Sequence, residues 1–324
     1  MKSVVCREFG PPENLVIEES PDPTPGAGEI VIDVKAATVT FPDALMIEDK
    51  YQFKPAPPFT PGGEAAGVVL AVGEGVDGFS IGDRVIGNSG LVGAFTDRLC
   101  VAAATSKKLP DSVGFGEATG ILYSYGTVYY GLVDRANLLE GETLLVLGAG
   151  GNLGLAAIEV GKLLGARVIA AASSEDKLAL CRERGADETI NYSDEKLKDR
   201  AKELTDGKGV DVVFDTVGGD YAESALRAIA WCGRFLVIGF TAGIPTIPLN
   251  LALLKSCQII GVFLGGMVGR EPATRDRIAA ELDKLLESGK LNPHVSREYS
   301  LDEAGQALRD LLDRRILGKV IIAP

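Results

Sequence analysis

A glycine-rich turn carries the clearest chemistry in this 324-residue sequence. An apolar run at 144–147 leads into the turn, and an apolar helical pattern begins directly after it. Small residues at such a turn let the backbone approach a pyrophosphate, while the first N–H groups of the helix face the anion. A glycine-rich strand-to-helix turn without a ligand is the alternative, but the position inside a β-α-β unit favours dinucleotide binding. The residues predicted to bind are Ala149, Gly150, Gly151, Asn152, Leu153 and Gly154.

The end of the following strand indicates which dinucleotide is bound. An NAD-binding fold places an acidic residue there to hold the ribose 2′-hydroxyl. Here Ala172 takes that position, Ser173 and Ser174 follow it, and Lys177 comes one helical turn later. Hydroxyls and an ammonium group suit a 2′-phosphate, because they donate hydrogen bonds and counter its charge. Ser174 can cap a helix at the same time. We predict NADPH, and the two acidic residues that follow Ser174 leave NADH open as the less favoured alternative.

These residues need a parallel sheet to position them, and the sequence pattern predicts one. Between 143 and 262, short apolar runs alternate with helical stretches, as in strands that helices cover on both faces. The predicted strands are 143–147, 167–171, 188–191, 210–215, 233–239 and 257–262. The predicted helices are 152–164, 175–184, 194–204, 219–230 and 249–255. Six strands match the doubly wound dinucleotide-binding fold, so the predicted class is α/β.

The flanking segments predict a second, β-rich domain. Residues 1–110 alternate apolar and polar positions in short runs that Gly and Pro clusters separate. One helix is predicted over 114–135, and the end of the chain contains helices at 272–288 and 301–313 and strands at 294–299 and 319–323. We therefore predict a β-rich domain over 1–120, a dinucleotide-binding domain over 121–262, and a return to the first domain over 263–324.

Composition excludes several classes of function. A formal net charge of −12 without a Lys/Arg cluster argues against nucleic acid as a partner. The single histidine, His294, leaves no material for most zinc sites or for His-dependent catalytic triads. Five cysteines without a CxxC pair indicate a reducing, cytoplasmic location. No secretory signal is predicted, because the first residues are charged and contain no apolar run. No membrane span is predicted, because charges, Gly or Pro interrupt the longest apolar stretches.

Several motifs spread over nearly the whole chain carry a family resemblance. They are TPGGEAAGVV at 60–69, VGEGV at 72–76, GDRV at 82–85, SYGTVY at 124–129, the glycine turn, DTVGG at 215–219 and GKV at 318–320. The chain resembles the medium-chain dehydrogenase/reductase superfamily, and within it the zinc-free quinone oxidoreductase (zeta-crystallin-like) branch. The resemblance implies a six-stranded Rossmann sheet and a GroES-like β-rich catalytic domain. The chain departs from the branch pattern at Asn152, where Gly is expected, and at Glu159, where Gln is expected.

The resemblance also implies a site without zinc. Zinc-dependent members carry His where this chain has Gly63, and Cys near the position of Pro42, where this chain has none. What remains is hydride transfer from a nicotinamide to an electrophilic acceptor held in an apolar slot between the two domains. There Tyr51 either donates a hydrogen bond or only lines the wall, and Thr40 stands where many relatives have Asn. The resemblance adds as cofactor residues Thr127, Tyr192, Val217, Gly239, Phe240, Phe263 and Gly265.

Together these features predict an NADPH-dependent oxidoreductase that reduces a quinone. The first alternative is reduction of an enone, an alkenal or an enoyl thioester, since such α,β-unsaturated carbonyls need only the same cofactor, slot and donor. Another is a non-catalytic NADPH-binding protein of the crystallin type, because a fold alone does not establish activity. The resemblance further implies a homodimer, in which the edge strand near 257–262 pairs across a two-fold axis.

Overall fold

The computed structural model describes every residue of the chain, 1–324. The residues form two compact units, one of Met1–Leu122 with Asn292–Pro324 and the other of Tyr123–Leu291. None of the helices in either unit combines the length and the apolar character that crossing a membrane requires.

Strands and short helices alternate along the chain. The strands are β1 (Lys2–Val5), β2 (Val16–Glu19), β3 (Glu29–Thr38), β4 (Glu64–Val72), β5 (Arg84–Asn88), β6 (Arg98–Ala102), β7 (Ser106–Lys108), β8 (Thr143–Leu147), β9 (Arg167–Ala172), β10 (Glu188–Asn191), β11 (Val210–Asp215), β12 (Ile229–Val237), β13 (Gln258–Gly261), β14 (Val295–Ser300) and β15 (Lys319–Ala323). The α-helices are α1 (Phe41–Ile47), α2 (Phe115–Ala118), α3 (Gly126–Tyr129), α4 (Asn152–Leu163), α5 (Glu175–Glu183), α6 (Leu197–Glu203), α7 (Gly219–Ala228), α8 (Asn250–Lys255), α9 (Leu264–Arg270), α10 (Pro272–Glu287) and α11 (Ala304–Leu312).

A six-stranded sheet forms the centre of the second unit. All its strands run parallel, in the order β10-β9-β8-β11-β12-β13. The apolar runs of β8 and β9 are almost completely buried, because helices pack against the sheet. Counted from β8, the order is 3-2-1-4-5-6, which confirms the predicted doubly wound fold. The direction of winding changes between β8 and β11, and ligands of such folds bind at that point, outside the carboxyl ends of the strands.

A mixed sheet forms the centre of the first unit. Its order is β14-β15-β3-β4-β5-β7, and β6 also pairs with β3. All pairs are antiparallel except β14 with β15. The alternation in β3 buries Ile30, Ile32 and Val34 in the main core cluster of this unit. The pattern of alternating residues in the first part of the chain thus gives a β-rich unit, as predicted.

The helix predicted over 114–135 is interrupted in the structure. After α2, Gly120 adopts a φ of +84°, and residues 121–125 and 130–135 wind as π-helical turns around α3. Two buried charged side chains replace the missing helical hydrogen bonds. Glu64 accepts from the backbone N of Gly120, and the ammonium group of Lys319 donates to the carbonyl oxygens of Glu117 and Thr119. The apolar periodicity alone could not reveal this break.

The other differences between the predicted and the observed structure concern the boundaries of single strands, helices and domains. Strand β12 begins at Ile229 rather than 233, and α6 begins at Leu197 rather than 194. The segment 263–291 lies in the second unit, although we assigned it to the return to the first domain. There α10 packs against α3, and the Arg277 guanidinium pairs with the carboxylate of Asp134.

Candidate cofactor-binding site

The glycine turn lies at the carboxyl end of β8, next to the point where the winding changes direction. Gly148 has a φ of +72°, and a Cβ added there would lie 3.0 Å from a methyl group of Val217. A Cβ on Gly154 would lie 2.5 Å from Cα of Ala149, so only glycine lets α4 approach the turn this closely. Gly151 is the N-cap of α4, whose first residues are Asn152 and Leu153. The turn therefore leaves a shallow cradle of backbone at a helix N-terminus, which suits a pyrophosphate.

The side chain of Lys177 lies directly against this turn. A Cβ on Gly150 would lie 2.6 Å from Cβ of Lys177 and 2.8 Å from its Cγ, so the absence of a side chain at 150 makes room for the Lys177 stem. The Lys177 ammonium group is 3.5 Å from the hydroxyl of Ser173. Ser174 is the N-cap of α5, but its side chain makes no capping hydrogen bond. These groups form a small cluster of donors beside the cradle, and such a cluster suits a phosphate group.

Two neighbouring residues extend the cluster and were not among the predicted ones. The hydroxyl of Ser193 donates to the carbonyl oxygen of Ser173 at 2.9 Å. The ring of Tyr221 lies 4.4 Å from the ring of Tyr192, tilted by 48°. Both tyrosines line an open cavity of about 600 Å³ that the start of α6 and one face of α7 also border. Tyr192 is therefore held in place by an aromatic partner that sequence spacing could not reveal.

The ends of β11 and β12 close the other side of the cradle. Asp215 is buried, its carboxylate accepts from the backbone N atoms of Val217 and Gly218, and burial raises its pKa. This carboxylate shapes the loop that places the buried Val217 side chain beside Gly148. Gly239 lies close to the Thr216 backbone. Farther along, the side chain of Phe240 is 43% exposed, so it offers an apolar surface at the carboxyl edge of the sheet.

The segment 123–127 packs against α4 through polar contacts. The amide of Asn152 donates to the hydroxyl of Ser124 at 3.0 Å. The hydroxyl of Tyr125 donates to the carboxylate of Glu159 at 2.5 Å, and burial together with that carboxylate raises the pKa of Tyr125 well above its usual value. Thr127 is buried and donates to the carbonyl oxygen of Tyr123. Asn152 and Glu159, the two departures from the branch pattern, thus both hold the segment that carries Thr127.

The last two predicted cofactor residues lie beyond β13. Phe263 is the N-cap of α9, and its ring is 59% exposed. A Cβ on Gly265 would lie 3.5 Å from that ring, which is ordinary van der Waals contact. Phe263, like Phe240, therefore follows the carboxyl end of a parallel strand and leaves its ring accessible to a ligand.

The two predicted catalytic residues lie in the first unit. Thr40 is the N-cap of α1, and its hydroxyl donates to the carboxylate of Asp43 at 2.7 Å. Asp43 is 1% exposed, and its other oxygen accepts from the backbone N of Gly62. Tyr51 is partly buried and packs against the core cluster of this unit. Sequence reasoning missed Asp43, although a Thr followed three residues later by an acidic residue is a recognised helix-start pattern.

The side chains of this chain do not fit a zinc ion. No group of three or more His, Cys, Asp or Glu residues is arranged to hold a metal. A Cβ on Gly63, where zinc-dependent members have His, would lie 3.1 Å from the carbonyl carbon of Gly90 and nearer still to its oxygen. The backbone therefore leaves no room for a larger residue at 63 without a shift. His294 lies in the coil directly before β14.

Comparisons with known proteins were made by family model, by sequence and by structure. The family model of the alcohol dehydrogenase GroES-like domain matches residues 26–133, and that of the zinc-binding dehydrogenases matches residues 152–283. A quinone oxidoreductase-like protein 2 homolog of Nematostella vectensis is 39% identical over 99% of this chain and 88% of its own length. A quinone oxidoreductase of Pseudomonas aeruginosa is 34% identical over 100% of this chain and 99% of its own.

A solved structure agrees with these matches. The crystal structure of Escherichia coli quinone oxidoreductase complexed with NADPH superposes on this chain with a TM-score of 0.91. The two chains are 30% identical, and the match covers 100% of each. The predicted GroES-like unit and Rossmann unit are therefore both confirmed.

Proposed function

Because the chain belongs to the quinone oxidoreductase branch of the medium-chain dehydrogenase/reductase superfamily, we propose that it is an NADPH-dependent quinone oxidoreductase. The observation that carries this proposal is the cradle of the second unit. Its glycines let the turn, α4 and the Lys177 stem approach one another closely, and the Lys177 ammonium group lies beside the hydroxyl of Ser173. Such a cradle suits the pyrophosphate and 2′-phosphate of NADPH.

The residues around the cradle would hold NADPH through different parts of the molecule. Backbone N–H groups of the turn and the start of α4 would bind the pyrophosphate. Ser173, Ser174, Lys177 and Tyr192 would bind the 2′-phosphate, since the acidic residue that would repel it is replaced by Ala172. Thr127, Val217, Gly239, Phe240, Phe263 and Gly265 would contact the remainder of the cofactor.

When bound, NADPH supplies a hydride from its nicotinamide. The chain itself then has to hold an electrophilic acceptor, exclude water, and stabilise negative charge on the acceptor oxygen. We propose that Tyr51 and Thr40 of the first unit contact the acceptor, with the phenol of Tyr51 donating to the oxygen. No step of this proposal needs a metal ligand.

Steady-state oxidation of NADPH with a panel of quinones and enones tests this function. We expect turnover of 1,4-benzoquinone or 1,4-naphthoquinone, with NADPH preferred over NADH. Turnover of enones alone would favour a double-bond reductase. Tight NADPH binding without turnover of any acceptor would favour a non-catalytic role, and absence of NADPH binding would refute the proposal altogether.

We also propose a homodimer that is joined through β13, in a reducing compartment such as the cytoplasm. Strand β13 is an edge of its sheet, and the preceding α8 exposes Leu253 and Leu254 by 78% and 61%. A free strand edge beside an apolar surface supports pairing across a two-fold axis. All five cysteines are free thiols, which supports the reducing compartment. Light scattering should give a dimer mass that falls to a monomer in Ile259→Lys, and a monomeric native chain would contradict the proposal.

A further inference from the structure

Asp43 is a buried carboxylate to which the proposed reaction assigns no part. Its Oδ2 accepts from the backbone N and from the hydroxyl of Thr40, both at 2.7 Å, and its Oδ1 accepts from the backbone N of Gly62 at 3.1 Å. These bonds join the start of α1 to the loop that precedes β4. They also consume the only proton of the Thr40 hydroxyl.

We propose that Asp43 is a positioning residue that sets the hydrogen-bonding polarity of Thr40 toward the substrate. While Asp43 is ionised, Thr40 donates to it and can offer the substrate only lone pairs. When Asp43 carries a proton, its O–H donates to the Thr40 oxygen, and the Thr40 proton turns toward the acceptor. The inference rests on the proposed function, in which Thr40 contacts the acceptor, and adds that Thr40 faces the acceptor oxygen.

Both protonation states of Asp43 are accessible near neutral pH. Burial raises the pKa of Asp43 from 3.8 to about 6, against the opposing effect of the hydrogen bonds from Thr40 and Gly62. The carboxylate is therefore mostly ionised at pH 8 and mostly protonated at pH 5. The polarity of Thr40 changes between these values.

Hydrogen bonds from Thr40 and Gly62, rather than charged side chains, oppose the effect of burial on the pKa of Asp43. Helix α11 packs against α1, but its Arg309 is paired with a glutamate and its Asp310 accepts from a tyrosine and a glutamine. Glu64, which follows the loop, accepts from a distant backbone N, and Lys319 of β15 donates to backbone carbonyls. None of them is among the causes of the shifted pKa of Asp43.

The consequence for the reaction is a rate that depends on this carboxyl. A donor that faces the acceptor oxygen stabilises the negative charge that develops there. Thr40 can be that donor only when Asp43 is protonated, so kcat should rise as the pH falls through about 6. We expect a gain of about tenfold, which is the effect of one hydrogen bond of roughly 1.4 kcal/mol.

The first test is the pH dependence of kcat, measured at saturating NADPH and 1,4-naphthoquinone between pH 5 and 8. The native chain and Thr40→Ser should share a rise toward acid pH, because both keep the hydroxyl. Thr40→Val keeps the shape, removes the hydroxyl and should lack the rise. A flat native profile, or the same rise in Thr40→Val, would overturn the proposal. If Thr40 were merely structural, Thr40→Val would lower thermal stability but would keep the rise of kcat toward acid pH.

The second test needs no turnover, so it separates this inference from the proposed function. In protein labelled with ¹³C-aspartate, the Asp43 carboxyl resonance should titrate near pH 6 and should be missing in Asp43→Asn. Loss of the Thr40 donor in Thr40→Val should raise that midpoint by about one unit. An Asp43 that stays in one protonation state from pH 5 to 8, or a midpoint that Thr40→Val leaves unchanged, would refute the polarity argument even if no quinone is reduced.

Discussion

Lys177 provides the sharpest test of the cofactor preference. Lys177→Met keeps an unbranched apolar stem that can still lie against Gly150, and it removes only the ammonium group. If that group binds the 2′-phosphate of NADPH, its loss removes one charge-assisted hydrogen bond, which contributes about 1.5 to 3 kcal/mol. Lys177 is partly exposed, so the lower part of that range applies.

The expected result is a loss of roughly 10- to 30-fold in kcat/KM for NADPH, which corresponds to about 1.4 to 2 kcal/mol. NADH carries no 2′-phosphate, so its kcat/KM should change by less than about twofold. The preference of the enzyme for NADPH should therefore shrink or disappear in the variant, while kcat at saturating NADPH stays close to that of the native chain.

The assay is initial-rate oxidation of each cofactor at a fixed quinone concentration, with Lys208→Ala as the control. Lys208 is exposed and lies in the turn before β11, so its removal matches the change of net charge without touching the cradle. Two results would refute the reasoning. One is an equal loss for NADPH and NADH, which would mean that Lys177 only supports the fold. The other is an unchanged kcat/KM for NADPH, which would mean that the 2′-phosphate does not contact Lys177.

Three further changes test other parts of the structure. Gly154→Ala should abolish cofactor binding measured by calorimetry, because its Cβ would lie 2.5 Å from Cα of Ala149. Tyr125→Phe should lower the free energy of unfolding in urea by about 1 to 3 kcal/mol, since it leaves the part-buried Glu159 carboxylate without its 2.5 Å donor. The raised pKa of Asp43 means that the folded chain binds more protons than the unfolded chain between pH 3.8 and about 6. The Asp43 contribution to stability therefore falls by about 3 kcal/mol in all as pH rises through that window, and about 2 kcal/mol of this fall should appear when the native chain and Asp43→Asn are compared at pH 4.5 and 7.

Local chemistry made the cofactor site predictable from the sequence. The mostly apolar runs that form β8 and β11 indicate buried strands, and parallel strands bring their carboxyl ends to one edge. Ser173 and Lys177 are four residues apart, which places both at the start of one helix and within reach of each other. The residues of this site that the sequence pattern did not predict are held by contacts between distant parts of the chain. The packing of Tyr221 on Tyr192 joins a helix to a strand end 29 residues away, and no period in the sequence encodes that pair.

The interrupted helix after residue 114 shows the limit of such reasoning more clearly. Apolar periodicity predicts a helix there because each apolar position is buried, and the periodicity holds through the break. The break depends instead on where carbonyl and N–H groups find partners. Glu64 and Lys319 supply those partners from positions 56 and 200 residues away from the groups they bind. A buried charge is tolerated only when hydrogen bonds satisfy it, so these two residues and the non-helical turn require each other.

The same logic applies to Asp43, whose burial is explained by three donors around it. Buried charged side chains are thus the places where this fold departs from its own sequence pattern, and Asp43 is the one on which the proposed change in the polarity of Thr40 depends.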